Sequence, residues 1–253
     1  MLVCINEDVI NMSIEDIVTS LNERLEELHE QGRTNEILRG TKGLTAEIHG
    51  WRAWAFYRQE EYEKAKREAR KANDNKVVIK CLAAIAAYVE KNQDLVKYYT
   101  DQLPDGPAKD NAKTIVARKL DDNTSKKEVI KRAEKWLAIP EIFDPLNTAN
   151  LSNNTARWLL EKGEGDDDLT TALRFTERAV ELYGDGDYNL HHRASTHYWK
   201  SRIIERLFDK KHAIVDAETS VYLWEKQLAI DPDNKHFQNS LAGAKKRLEE
   251  LQE

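Results

Sequence analysis

The chain has 253 residues, of which 40% are apolar and 33% charged, with a net charge of −6 and only 10 glycines and 5 prolines. Such a composition supplies a core, excludes disorder along the whole chain, and favours helices over strands because breakers are scarce. The acidic balance excludes whole-surface attraction to nucleic acid or anionic lipid, and leaves only a local basic patch for such roles.

The first thirteen residues, MLVCINEDVINMS, have no basic region followed by a long apolar run, so no secretory signal is expected. From Ser13, Ile14, Ile17, Val18, Leu21, Leu25 and Leu28 step by three or four and predict an amphipathic helix. Ser13 and Asp16 form its capping signal and Gly32 its stop. Cys4 and Cys81 are far apart and imply no disulfide framework; Cys81 sits in an apolar helical run, as a small buried hydrophobe would. That run, Val77 to Val89, is interrupted by Lys80 and is too short to span a bilayer. A soluble, cytoplasmic protein is expected.

Helical periods continue to the end of the chain. They break at Asn73 to Lys76, Leu103 to Pro107, Asp121 to Ser125, Ile139 to Asn147, Gly163 to Asp168, Gly184 to Asp187 and Asp231 to Asn234. No interval alternates as a strand does, so the fold class is all-α, with roughly a dozen helices joined by short connections. Residues 1–253 form one domain, with a candidate internal sub-boundary at 139–149 and a terminal capping helix over 234–253.

A pattern recurs within this array. Ala53 and Phe56 stand one turn apart, a short turn at Gln59, Glu60 and Glu61 follows, and Tyr62, Ala65, Ala69 and Ala72 then line one face. Small residues there let two backbones approach, while Phe56 and Tyr62 fill the space beside them. Ser201, Ile204, Leu207, Phe208, Ala213, Ala217 and Ser220 repeat the arrangement. Ala172, Thr176 and Ala179 carry a third trace, and LAIDPDN at 228–234 forms a proline-containing link before the last helix. These stretches resemble the tetratricopeptide repeat, although that family's usual glycine is Ala53 or Ser201 here and residues 74–150 match poorly. The resemblance implies a right-handed α-solenoid of antiparallel helix pairs whose first helices line a concave groove. It also implies an interaction scaffold or adaptor. Family members that clamp a carboxyl terminus need Lys and Asn on successive first helices; the matching places here are Gly50 and Trp54, so a chaperone tail is not the implied ligand.

Catalytic patterns are weak. His197 lies six and five residues from His191 and His192, offsets that cannot share one helix face as HExxH does. Asp166, Asp167 and Asp168 have no matching second acidic pair, and Asp168 is expected to cap a helix beginning at Leu169. Arg24 with His29, and Arg206 with His212, have the spacing of some small helical ribonucleases, but this composition yields about one such pair by chance. No Gly-rich phosphate loop, GxSxG elbow or CxxC pair occurs. No catalytic residue, metal or cofactor is expected.

Binding residues are expected instead. With Ala53 and Phe56 on the paired face, Trp51, Trp54, Tyr57 and Arg58 point elsewhere, and their residue types dominate interface energetics. The competing expectation is that both indoles pack on a neighbouring helix. Arg193, His197, Tyr198, Trp199, Lys200, Arg202 and Arg206 concentrate positive charge and aromatic area. Tyr198, Trp199, Arg202 and Arg206 are the candidate contacts there, unless the segment is a solvated face balanced by Glu205. The expected partner is a protein or peptide, and an acidic one would match this patch; membrane is not expected, nucleic acid is disfavoured, and self-association is open. The alternative function is a helical RNA-processing enzyme or nucleic-acid binder using residues 193–206. A scaffold predicts a groove without convergent titratable groups, whereas an enzyme predicts a closed pocket with a positioned acid or base.

Overall fold

The computed structural model describes residues 23–31, 33, 37, 46–72, 76–120, 123–139, 141–142, 144–186 and 189–253. Ser13 and Gly32, the expected bounds of the first helix, lie outside the described residues, but residues 23–30 are helical. The helices are α1 (Ala46–Arg58), α2 (Tyr62–Ala69), α3 (Lys76–Ile85), α4 (Gln93–Asp101), α5 (Pro107–Lys119), α6 (Lys126–Leu137), α7 (Pro145–Lys162), α8 (Asp166–Tyr183), α9 (Leu190–Leu207), α10 (Lys210–Ile230) and α11 (Lys235–Gln252). A π-helical turn, Ala86–Glu90, extends α3. There is no strand among the described residues. None of their helices is long and apolar enough to cross a membrane.

Local chemistry sets the helix starts. Asn92, Ser125, Asp144, Asp209 and Asn234 each accept a backbone N–H of the following first turn, which satisfies a donor the helix cannot. Two expectations need correction. The helical stretch between the breaks at 73–76 and 103–107 is itself broken, because Lys91 turns left-handed at φ 50° and Asn92 caps a new helix. Helix α8 begins at Asp166 rather than Leu169; from its first turn Asp168 accepts the Glu164 N–H at 2.7 Å and Lys126 Nζ at 3.0 Å. Burial opposes ionisation of Asp168, yet those two donors hold its carboxyl below the usual value.

Most helices pack on their sequence neighbours, but α5 packs chiefly on α7, and α3 packs on α1 as well as on α4. Ala53, Ala65 and Ala69 are buried together, with Phe56 and Tyr62 beside them. Glu68 of α2 binds His49 at 2.7 Å and Arg52 at 2.9 Å on α1, and Lys71 at 2.9 Å. The largest core joins α6, α7, α8 and α9 through Val129, Ala133, Leu151, Leu159, Phe175 and Ile203. Bonds cross the break at 139–149: Arg118 Nη1 donates to Glu161 at 3.0 Å and Asn154 Nδ2 to Asn111 Oδ1 at 2.9 Å.

The array curls until its two ends meet. Asn189 N–H donates to the Glu30 carbonyl at 3.2 Å. Gln227 Nε2 donates to the Gln31 carbonyl at 3.0 Å. The Arg58 guanidinium lies over the Phe237 ring at 5.5 Å, and His236 Nδ1 is 3.9 Å from Glu60. A chamber partly open to solvent lies between the helices that this seam joins.

Candidate ligand-binding cavity

The chamber has a volume of about 930 Å³, near the upper end of the roughly 300–1,000 Å³ typical of ligand sites. Each lining helix contributes one face. On α1 that face is Trp51, Trp54, Tyr57 and Arg58; on α7 it is Asn147, Asn150, Asn153, Asn154 and Arg157; on α9 it is His191, His192, Ser195, Tyr198 and Trp199. These offsets of three, four and seven are those of a single helical stripe. Ala83, Ala84 and Ala87 also line it, as do Trp224 and His236.

Six of the eight expected contacts line this cavity: Trp51, Trp54, Tyr57, Arg58, Tyr198 and Trp199. Trp51 also packs in a core with Leu25, Leu28, Ile37 and Ala55, so the neighbouring-helix expectation holds for that indole as well. Trp54 joins an aromatic chain, 5.5 Å from His29 and 5.4 Å from Tyr57. Arg202 and Arg206 are exposed and do not line the chamber. Arg206 Nη1 donates to the Leu160 carbonyl at 2.8 Å, and Arg202 covers the Trp199 ring at 5.4 Å. Other side chains of that segment are also engaged: His197 and Lys200 meet Asp216 at 2.7 and 3.6 Å, and Arg193 donates to the Gly186 carbonyl at 2.8 Å.

What the sequence reading missed is a convergence of imidazoles. His29, His191, His192 and His236 all line the cavity, from three separate segments of the chain, with His191 and His192 adjacent on α9. The His191 and His192 rings lie 4.0 Å apart, and His192 stacks on Tyr183 at 5.5 Å. Burial, followed by the positive charge of Arg58, holds His29 and His236 down at about 3. Burial likewise holds His191 and His192 well below the ordinary histidine value. The cluster is therefore neutral, and each ring offers one N–H and one lone pair. Among the described residues, no group of three or more His, Cys, Asp or Glu side chains is arranged to hold a metal ion.

Several polar atoms in the wall are buried without partners: Trp54 Nε1, Arg58 Nη2, Asn153 Oδ1, Asn154 Oδ1, Arg157 Nε and both His191 nitrogens. Buried polar atoms are ordinarily paired, so these donors and acceptors retain hydrogen-bonding capacity toward the cavity. One clue was available in the sequence. Asn147, Asn150, Asn153, Asn154 and Arg157 form a polar stripe on a helix whose other residues are mainly core, the reverse of ordinary amphipathic packing. No family model, curated protein or solved structure matches the chain.

Proposed function

We propose that the protein is a non-catalytic binding module that holds a short peptide segment of a partner inside the concave chamber of a tetratricopeptide-like helix array. The observation that carries this reading is the wall itself: aromatic surface from Trp51, Trp54, Tyr57, Tyr198 and Trp199, set beside unpartnered amide oxygens of Asn153 and Asn154. Aromatic side chains supply contact area with few rotamers to freeze, and amide oxygens accept the N–H groups that a peptide backbone repeats. The packed alanines of α1 and α2 support the repeat resemblance, and the closed seam explains why a segment rather than a whole domain is the fitting occupant.

The convergent histidines favour a second reading, acid–base chemistry on an enclosed substrate. Against it, a general base works best with a pKa near the operating pH, and burial leaves these imidazoles feeble bases. The basic segment at 193–206 gives nucleic acid little to grip, since Arg193, His197, Lys200 and Arg206 already bond within the chain.

Native mass spectrometry with a pool of random heptapeptides tests the proposal. One-to-one peptide adducts are expected for the wild type, and their loss in Ala112→Trp, which fills the chamber from α5, with helicity unchanged. Adducts that persist in that variant would place peptide binding outside the cavity.

A further inference from the structure

Arg58 stands in the last turn of α1 and reaches across the seam to Phe237 of α11. Its Nη2 is buried without a partner, and no hydrogen bond or ion pair joins it to a carboxylate among the described residues. Phe237 also meets His191, whose ring centroid lies 5.7 Å away, so guanidinium and imidazole converge on one aromatic. His191 is 3% exposed, and neither of its nitrogens has a partner. One of those nitrogens carries a proton in either tautomer. Two buried donors, one of them permanently cationic, thus face the chamber with no acceptor. A buried charge without a counter-charge is costly, and an anionic group of a ligand would supply the partner that Arg58 lacks.

We propose that Arg58 and His191 form the seat of a carboxylate carried by the cavity's peptide ligand. This rests on the peptide-binding reading above and adds the chemistry of the anchor. The Arg58 guanidinium presents a planar fork that fits a carboxylate. Glu26, Glu30 and Glu60 line the same chamber alongside Arg58, Arg157 and Lys80, so its wall carries both signs. Glu30 already sits where burial and the charges of Glu26 and Glu27 raise its carboxyl. The carboxylate can belong to a peptide C-terminus or to an Asp or Glu side chain, and the probes below separate these sources.

The test uses three N-acetylated heptapeptide pools. The first lacks Asp and Glu and ends in a free carboxylate, the second has the same composition but ends in a carboxamide, and the third ends in a carboxamide and contains Asp and Glu. Each is offered to wild type, Arg58→Lys and Arg58→Met, with retention read by mass spectrometry and folding by thermal denaturation. The first or third pool should be retained at least tenfold over the second by wild type. That preference should shrink in Arg58→Lys and vanish in Arg58→Met, while free Arg58→Met melts no lower than wild type. Enrichment of the first pool identifies the chain terminus, and enrichment of the third the acidic side chain. Equal retention of all three pools would overturn the carboxylate seat and leave peptide binding standing. Retention of none would overturn both. Loss of fold in Arg58→Met would show that the guanidinium holds the seam rather than a ligand, and would overturn the assignment.

Discussion

Three glycines separate space from backbone freedom at the residue scale. Gly163 follows α7 at φ −73°, a value any residue adopts, yet an added Cβ would meet the Leu159 carbonyl at 2.4 Å and Asp168 Cβ at 2.8 Å. Neither neighbour can retreat cheaply, since one is helix backbone and the other is fixed by Glu164 and Lys126. Gly163→Ala should therefore lose about 1–3 kcal/mol of stability, as overpacking does. Gly165 has open space but φ +87°, so Ala there should cost about 1 kcal/mol through strain alone. Gly243, inside α11 with nothing nearby, should gain roughly 0.5–1 kcal/mol as Ala. Denaturant midpoints of the three variants check the order; a Gly163→Ala as stable as wild type would refute the close approach. The sequence places Gly163 and Asp168 in one break, but the contact between them depends on how α8 re-enters, which spacing alone does not carry.

Helices were the most legible elements because their signals are local: a stripe every three or four residues, an Asn, Ser or Asp at the start, a Pro or Gly beyond the end. The pairing of α1 with α2 was readable for the same reason, from Ala53, Phe56, Ala65 and Ala69. Ala69→Leu should overpack that contact and cost on the order of 1–3 kcal/mol, seen as a lower melting temperature. An unchanged melting temperature would mean that the helix register is wrong. The start of α4 was hidden, since Lys91 and Asn92 interrupt the run without glycine or proline. The basic run of α9 was legible as composition but not as geometry. His197 and Lys200 turn to Asp216, a partner set by how α10 folds back. Arg206 is likewise spent on α7. Reversing Arg202 alone to Glu should change stability by less than about 1 kcal/mol, because its side chain is exposed and only covers Trp199. A larger loss in thermal denaturation would show that this cover is structural.

At the scale of the whole molecule, the seam brings together groups that no local pattern links: His29 and Arg58 from the beginning, His191 and His192 from α9, His236 from α11. Six of the eight expected contacts line the chamber because each belongs to a helical face, but the histidine cluster arises only when the array closes. That closure makes stability sensitive to mild acid. In the unfolded chain these imidazoles take protons near the ordinary histidine value of about 6.5. In the folded chain burial, followed by neighbouring positive charge, holds two of them at about 3 and the other two well below their ordinary value. The charged groups lining the chamber around the cluster include Arg58, Lys80, Arg157, Glu26, Glu30 and Glu60, of which Arg58 and Lys80 add to the effect of burial on His29. Below 6.5 the unfolded state therefore binds more protons, so this contribution is fully present above 6.5 and is lost progressively as pH falls toward about 3. Between pH 7 and 5 the loss should reach about 2 kcal/mol for the buried His191 and be smaller for His236, whose side chain is 39% exposed to solvent screening. Thermal denaturation across that interval should show a falling midpoint before the carboxylates titrate. In His191→Phe combined with His192→Phe the fall should be shallower, while the midpoint at pH 8 stays within a few degrees of wild type. An equal slope in the double variant would mean that these rings are protonated at little cost.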